Sequence, residues 1–143
     1  MPRVSRAVDW EAELCFVIGK TARYVKAADA EQYIAGYCIG NDVSVRDWQF
    51  HSPTWMMGKS FDTHGPIGPW LVTPDEVDVA NLEVRLWVND DLKQDSNTDQ
   101  LIFDVGEIIE YLSAGFTLEP GDTVRVEIAG LGVLSNPVAE EPA

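Results

Sequence analysis

Two carboxylates set two residues apart, Glu11 and Glu13 in Trp10-Glu11-Ala12-Glu13-Leu14, are the first groups in this chain that could do chemistry. The segment reads as a strand, on which successive side chains alternate faces, so Glu11 and Glu13 share one face. Trp10, Ala12 and Leu14 take the other face, and Cys15-Phe16-Val17-Ile18 carries the strand into a core. Like charges side by side at the edge of a core are costly unless a positive group compensates them. A divalent cation would do so, and Asp42 in Gly40-Asn41-Asp42 offers a third oxygen ligand. Three carboxylates completed by water suit the hard octahedral ions Mg2+ or Mn2+ better than zinc, with Ca2+ as a further candidate. An exposed strand face for the two glutamates, and a turn-forming Asn-Asp for Asp42, remain the structural alternatives.

Any anionic substrate of so acidic a protein needs a local positive centre, which a metal together with Lys59 and Arg46 would provide. Lys59 lies in Gly58-Lys59-Ser60-Phe61-Asp62-Thr63, and Arg46 stands three residues before Gln49. An ordinary solvated lysine is the alternative for Lys59, and an ion pair with Asp47 or Asp62 is the alternative for Arg46. His51 and His64 are the only histidines, and a histidine is the usual general base. His51 is the one weighed for that role.

These groups need elements to hold them. A first strand is expected over 8–18, turning at Gly19-Lys20. A short helix capped by Asp29 follows through Ala35 and stops at Gly36. A second buried strand over 37–43 delivers Asp42 at its far end. Residues 46–66 form a long connection rich in aromatic and polar side chains, either a functional loop or a cover for one end of the core. Leu71-Val72-Thr73 reads as a short strand and Pro74-Asp75-Glu76 as a turn or one helical turn. Leu82, Val84, Leu86 and Val88 alternate with polar residues, and Asn89-Asp90-Asp91 turns that strand back into Leu92 to Ser96. Asp104 with Glu107 resembles a capping box, opening a helix with Val105, Ile108, Ile109 and Leu112 on its core face. A strand over 123–128 follows the Pro120-Gly121-Asp122 turn, Val133-Leu134 is a further strand candidate, and the last four residues are expected to fray. The pattern gives a β-rich α+β class.

Composition narrows the function classes. The 143 residues suit one domain with a real core, and 45% hydrophobic residues make it globular. Lysine and arginine total 10 against 24 acidic residues, a net charge of −14. That balance argues against nucleic acid and anionic membrane partners. No apolar run approaches the length of a membrane span, and no signal core follows the first residues, so a cytoplasmic location is expected. Cys15 and Cys38, both in apolar runs, read as reduced core cysteines.

Several collinear motifs carry a resemblance. They are Glu11-Ala12-Glu13-Leu14, the run from Asn41 to Gln49, Gly58 to Thr63, and Leu71-Val72-Thr73-Pro74-Asp75-Glu76-Val77. Later come Trp87-Val88-Asn89 with Gln94 and Thr98, Ile102-Phe103, and Thr117 to Asp122. Together, over nearly the whole chain, they resemble the C-terminal catalytic domain of the fumarylacetoacetate hydrolase family. The resemblance implies the family's rolled, mixed β-sandwich as one domain over 1–143. It also implies Glu11, Glu13 and Asp42 as metal ligands, Lys59 as a catalytic and substrate-binding residue, and Arg46 and Gln49 as substrate contacts. The activity implied is carbon–carbon bond hydrolysis of acylpyruvate- or fumarylacetoacetate-type 2-oxo and β-diketo acids, through an enolate chelated by the metal. Decarboxylation, isomerisation or lyase chemistry is the near alternative; a non-catalytic metal and 2-oxo-acid binding domain is a more distant one, and a purely structural domain a third. Family members commonly form dimers, so a homodimer is expected. Two features of the family pattern are missing: the upstream histidine–glutamate pair that activates water, and the Gly-Thr-Pro-x-Gly-Val-Gly loop before a second Pro-Gly-Asp. The expectation drawn from these breaks is a piece of a longer enzyme, ahead of a natural short paralogue.

Overall fold

The most apolar run of the chain becomes the inner strand of its largest sheet. The structure, a computed structural model, describes residues 1–126 and 134–139, with Arg125 and Val126 described by backbone alone. Strand β1 (Val8–Asp9) is followed by β2 (Ala12–Ile18) and β3 (Ile34–Asn41), which pair antiparallel from Ala12 opposite Asn41 to Ile18 opposite Ile34. On its other side β2 pairs with β8 (Thr123–Val126), and β3 pairs with β5 (Ile67–Val72), so the sheet order is β5-β3-β2-β8. A second ribbon joins β1 to β4 (Ser44–Val45), and a third is the hairpin of β6 (Glu83–Val88) and β7 (Asp91–Asn97). Every strand pairing among the described residues is antiparallel.

Leu14, Phe16 and Ile18, on one face of β2, are fully buried. They pack in a cluster with Tyr37 of β3, Val84 of β6, and Val105 and Ile109 of helix α3 (Val105–Gly115). Each such side chain contributes about 1.5–3 kcal/mol on burial. The start of α3 is fixed by its capping box: Glu107 N–H donates to Asp104 at 2.8 Å, and Asp104 N–H donates to Glu107 at 3.0 Å. Helix and strands thus form the α+β architecture expected, with α3 using its predicted apolar face. Cys15 and Cys38 stand directly opposite each other across β2 and β3, both buried and neither in a disulfide.

Local departures have physical causes. The first strand is split, because Trp10 and Glu11 lie outside both ladders. The helix expected to open at Asp29 is a 3-10 helix over Ala27–Tyr33, with Asp29 inside its first turn. It ends before Gly36, which belongs to β3; a Cβ there would sit 2.6 Å from the Val72 carbonyl oxygen of β5. Residues 46–66 contain two helices of four residues, α1 (Arg46–Gln49) and α2 (Met56–Lys59), and contribute nothing to the core cluster among the described residues. Strand β5 starts earlier than expected, at Ile67, and stops before Thr73. The last strand is described as far as Val126; the remainder to Ile128, Val133 and the tail 140–143 lie outside the described residues, and Leu134 is in no strand. No helix among the described residues is long and apolar enough to cross a membrane.

Candidate metal and anion site

The break between β1 and β2 is where the carboxylates converge. Glu11, Glu13 and Asp42 each offer one oxygen, and these oxygens lie within 4.8 Å of one another. Backbone bonds hold that spacing. Asp42 N–H donates to the Glu11 carbonyl at 2.9 Å, Glu11 N–H to the Asn41 side-chain oxygen at 3.2 Å, and Ala12 N–H to Gln94 Oε1 at 2.7 Å. Two side chains from outside β2 therefore pin the stretch bearing the glutamates, and one of them comes from the distant hairpin.

The cations arrive on the two short helices. Lys59, the last residue of α2, places Nζ 2.6 Å from Glu11 Oε2 and 3.0 Å from Asp42 Oδ2. Burial pulls its pKa down, and the hydrogen bonds and charges of Glu11 and Asp42 more than reverse this, so Lys59 lies above the usual lysine value. Arg46 opens α1; its Nη1 lies 2.8 Å from Glu11 Oε1 and donates to Gln49 Oε1 at 3.0 Å. Its Nη2 and Nε reach Asp9 Oδ2 at 2.7 and 2.8 Å. Gln49 is buried. The helices can meet because residue 58 is glycine: a Cβ on Gly58 would lie 2.6 Å from both Cα and N of Gln49.

All six residues expected from sequence, Glu11, Glu13, Asp42, Arg46, Gln49 and Lys59, therefore gather in one place. Arg46 pairs with Asp9 and Glu11 rather than with the Asp47 or Asp62 considered from sequence; Asp47 instead accepts from Ser5 Oγ at 2.7 Å. Asp9 was missed, although it continues the period-two row of Glu11 and Glu13 by one step. His51 is exposed and packs against Trp48 in a tilted arrangement, 4.8 Å between ring centroids. His64 is half-buried beside Phe61; burial lowers its pKa, opposed by a hydrogen bond with the Val43 backbone and by the charge of Asp42.

The donor set fits a hard divalent cation. Two oxygens on one ion stand at most twice the oxygen–cation distance apart, about 4.0–5.2 Å for distances of 2.0–2.6 Å, and the three oxygens lie within 4.8 Å of one another. A cationic group, the Lys59 ammonium, already sits against two of the three.

Residues 1–124 match the family model described as fumarylacetoacetate (FAA) hydrolase C-terminal. The chain is 42% identical over 165 residues to a mitochondrial oxaloacetate tautomerase from Xenopus laevis, covering 96% of this chain and 52% of that protein. Among solved structures it is similar to a 5-carboxymethyl-2-hydroxymuconate delta-isomerase from Mycobacterium smegmatis, with a TM-score of 0.85 and 41% identity over 92% of this chain and 51% of that one. It is similar also to a fumarylacetoacetate hydrolase from Exiguobacterium antarcticum, with a TM-score of 0.84 and 36% identity over 88% of this chain and 46% of that one. The chain spans about half the length of the curated relatives it matches.

Proposed function

This chain belongs to the fumarylacetoacetate hydrolase family, and on that premise we propose that it carries the metal and substrate site of an enzyme acting on small 2-oxo acids. The reaction proposed is enolisation, as in a tautomerase or isomerase. The observation that carries the reading is the convergence of Glu11, Glu13 and Asp42 with Lys59 across three separate parts of the chain. Those three carboxylates would hold the divalent cation. When bound, such an ion is a Lewis acid that spreads negative charge developing beside a carbonyl.

The chain's own cations do the rest. Lys59 is a charged donor, suited to hydrogen-bond a substrate oxygen as charge builds there. Arg46, fixed by Asp9 and Gln49, orients Glu11 and keeps a positive charge next to it. Enolisation needs a proton moved at a carbon, whereas hydrolysis also needs an activated water. The Lys59 ammonium, beside a Lewis acid, would serve that proton transfer directly, which supports enolisation as the reading. The names of the tautomerase and delta-isomerase relatives support it as well. Carbon–carbon hydrolysis is the second reading, favoured by the likeness to the fumarylacetoacetate hydrolase.

Thermal denaturation with Mg2+ and oxalate, a planar dianion resembling a pyruvate enolate, tests the site. Ligand at ~100 times its Kd stabilises the folded state by ~2.7 kcal/mol, or roughly 5–11 °C for a chain of this size. The parent should shift with both present and Glu13→Gln should not. Equal shifts, or none in the parent, would remove the basis for the assignment.

A further inference from the structure

We propose that Lys59 competes with a divalent ion for the carboxylates, and that its ammonium must move off Glu11 and Asp42 for an ion to take the oxygens it holds. This rests on the metal-site reading above. Lys59 Nζ is hydrogen-bonded to two of the three candidate ligands, at 2.6 Å to Glu11 Oε2 and 3.0 Å to Asp42 Oδ2. An ion sharing those oxygens would stand within a few ångströms of the ammonium, with the two cations repelling at short range and little water between them.

Arg46 is placed differently. It takes the other oxygen of Glu11, Oε1, and is anchored by Asp9 and by buried Gln49, neither of which belongs to the triad. Arg46 can therefore stay while Oε2 is released. The ion pairs of Lys59 among the described residues run only to Glu11 and Asp42. Its stem is four flexible carbons, and it ends a four-residue helix whose Met56 and Met57 are exposed. Little besides the carboxylates holds the ammonium where it is.

The consequence is an order of binding. The ammonium is tied to Glu11 and Asp42 before metal arrives and has its three donors available only afterwards. A 2-oxo acid would therefore meet a free Lys59 only in the metal-loaded protein.

Two measurements on the full chain, without substrate, test this. Calorimetric titration with Mg2+ should give about tenfold tighter binding for Lys59→Met than for the parent. Acetylation of the parent by an N-hydroxysuccinimide ester, followed by mass spectrometry, should label Lys59 at least fivefold faster with saturating Mg2+. Lys26 and Lys93 serve as internal references. This second arm needs no variant, so a poorly folding Lys59→Met leaves the proposal falsifiable. If the parent binds Mg2+ while Lys59 labels at an unchanged rate, or if Lys59→Met binds no more tightly, the ammonium is not the competitor. If both folded proteins fail to bind Mg2+, the metal-site reading fails and this proposal with it.

Discussion

Replacing Gly58 by alanine sets two effects of known size against each other. In an exposed helix interior, alanine is favoured over glycine by about 0.8–1.0 kcal/mol. Here the added methyl would lie 2.6 Å from Cα and N of Gln49 and 2.8 Å from its Cβ, where ordinary contact begins at 3.4 Å. Two of those atoms are main chain, so relief requires α1 and α2 to separate by most of an ångström rather than a side chain to rotate. Overpacking of this kind costs about 1–3 kcal/mol, and with two main-chain atoms in the clash the upper part of that range applies, a net loss of up to roughly 2 kcal/mol. At about 2–4 °C per kcal/mol, the melting temperature should fall by up to roughly 8 °C. Because Lys59 follows Gly58 directly, the shift should also lengthen its contacts to Glu11 and Asp42 and change Mg2+ affinity. Gly115→Ala is the control: its Cβ would meet nothing within 4 Å, so that variant should be neutral or slightly stabilised. Urea unfolding of the three proteins decides the matter. Gly58→Ala as stable as Gly115→Ala would refute the claim that close helix contact requires glycine at 58.

Two further outcomes follow from single contacts. Gln94→Leu removes the acceptor for Ala12 N–H; an unsatisfied buried donor costs about 1–3 kcal/mol, so equilibrium unfolding should show that loss with weaker Mg2+ binding, and an unchanged midpoint would count against the clamp. Tyr37 is buried, and burial together with the charge of Glu31 pushes its phenol up to about 12. The neutral phenol is favoured in the folded state, so its contribution is complete below about pH 10, the unfolded value, and is lost as pH rises towards 12. Two units amount to about 2.7 kcal/mol, so stability should fall more steeply over that window in the parent than in Tyr37→Phe; parallel curves would contradict it.

The shared face of Glu11 and Glu13 was legible because its logic is local. Glu11 and Glu13 are two residues apart, and a period-two argument survives even though β2 begins only at Ala12. Asp104 and Glu107 were equally readable, since a capping box is a contact between residues three apart. The partner of Arg46 was not readable from neighbouring positions. Asp47 is adjacent in sequence, but β1 pairs with β4 and so brings Asp9 beside Arg46 across 37 residues. Gln94 could be matched to a family motif, yet its bond to Ala12 spans 82 residues and needs the hairpin folded against β2. Gly36 misled for a related reason: a glycine after a helical run reads as a stop, whereas here the close approach of β5 requires it inside a strand.

Charge bookkeeping joins the site to the segment that carries its cations. Asp9, Glu11 and Asp42 share the cations Arg46 and Lys59, and Glu13 stands beside Glu11 and Asp42. Residues 46–66 lend no side chain to the core cluster among the described residues, so their attachment to the sheet leans on these ion pairs and on a few main-chain bonds such as Arg46 N–H to the Ala7 carbonyl at 2.8 Å. The two ends of the segment are not equivalent. Arg46 is held partly by Asp9, a carboxylate outside the triad, whereas Lys59 is held by candidate ligands alone. An ion in the triad would therefore compete with the attachment of α2 and spare that of α1. The carboxylates that would hold the ion are also the ones that hold the lysine, and on the metal-site reading this coupling makes Lys59 more than a passive neighbour of the site.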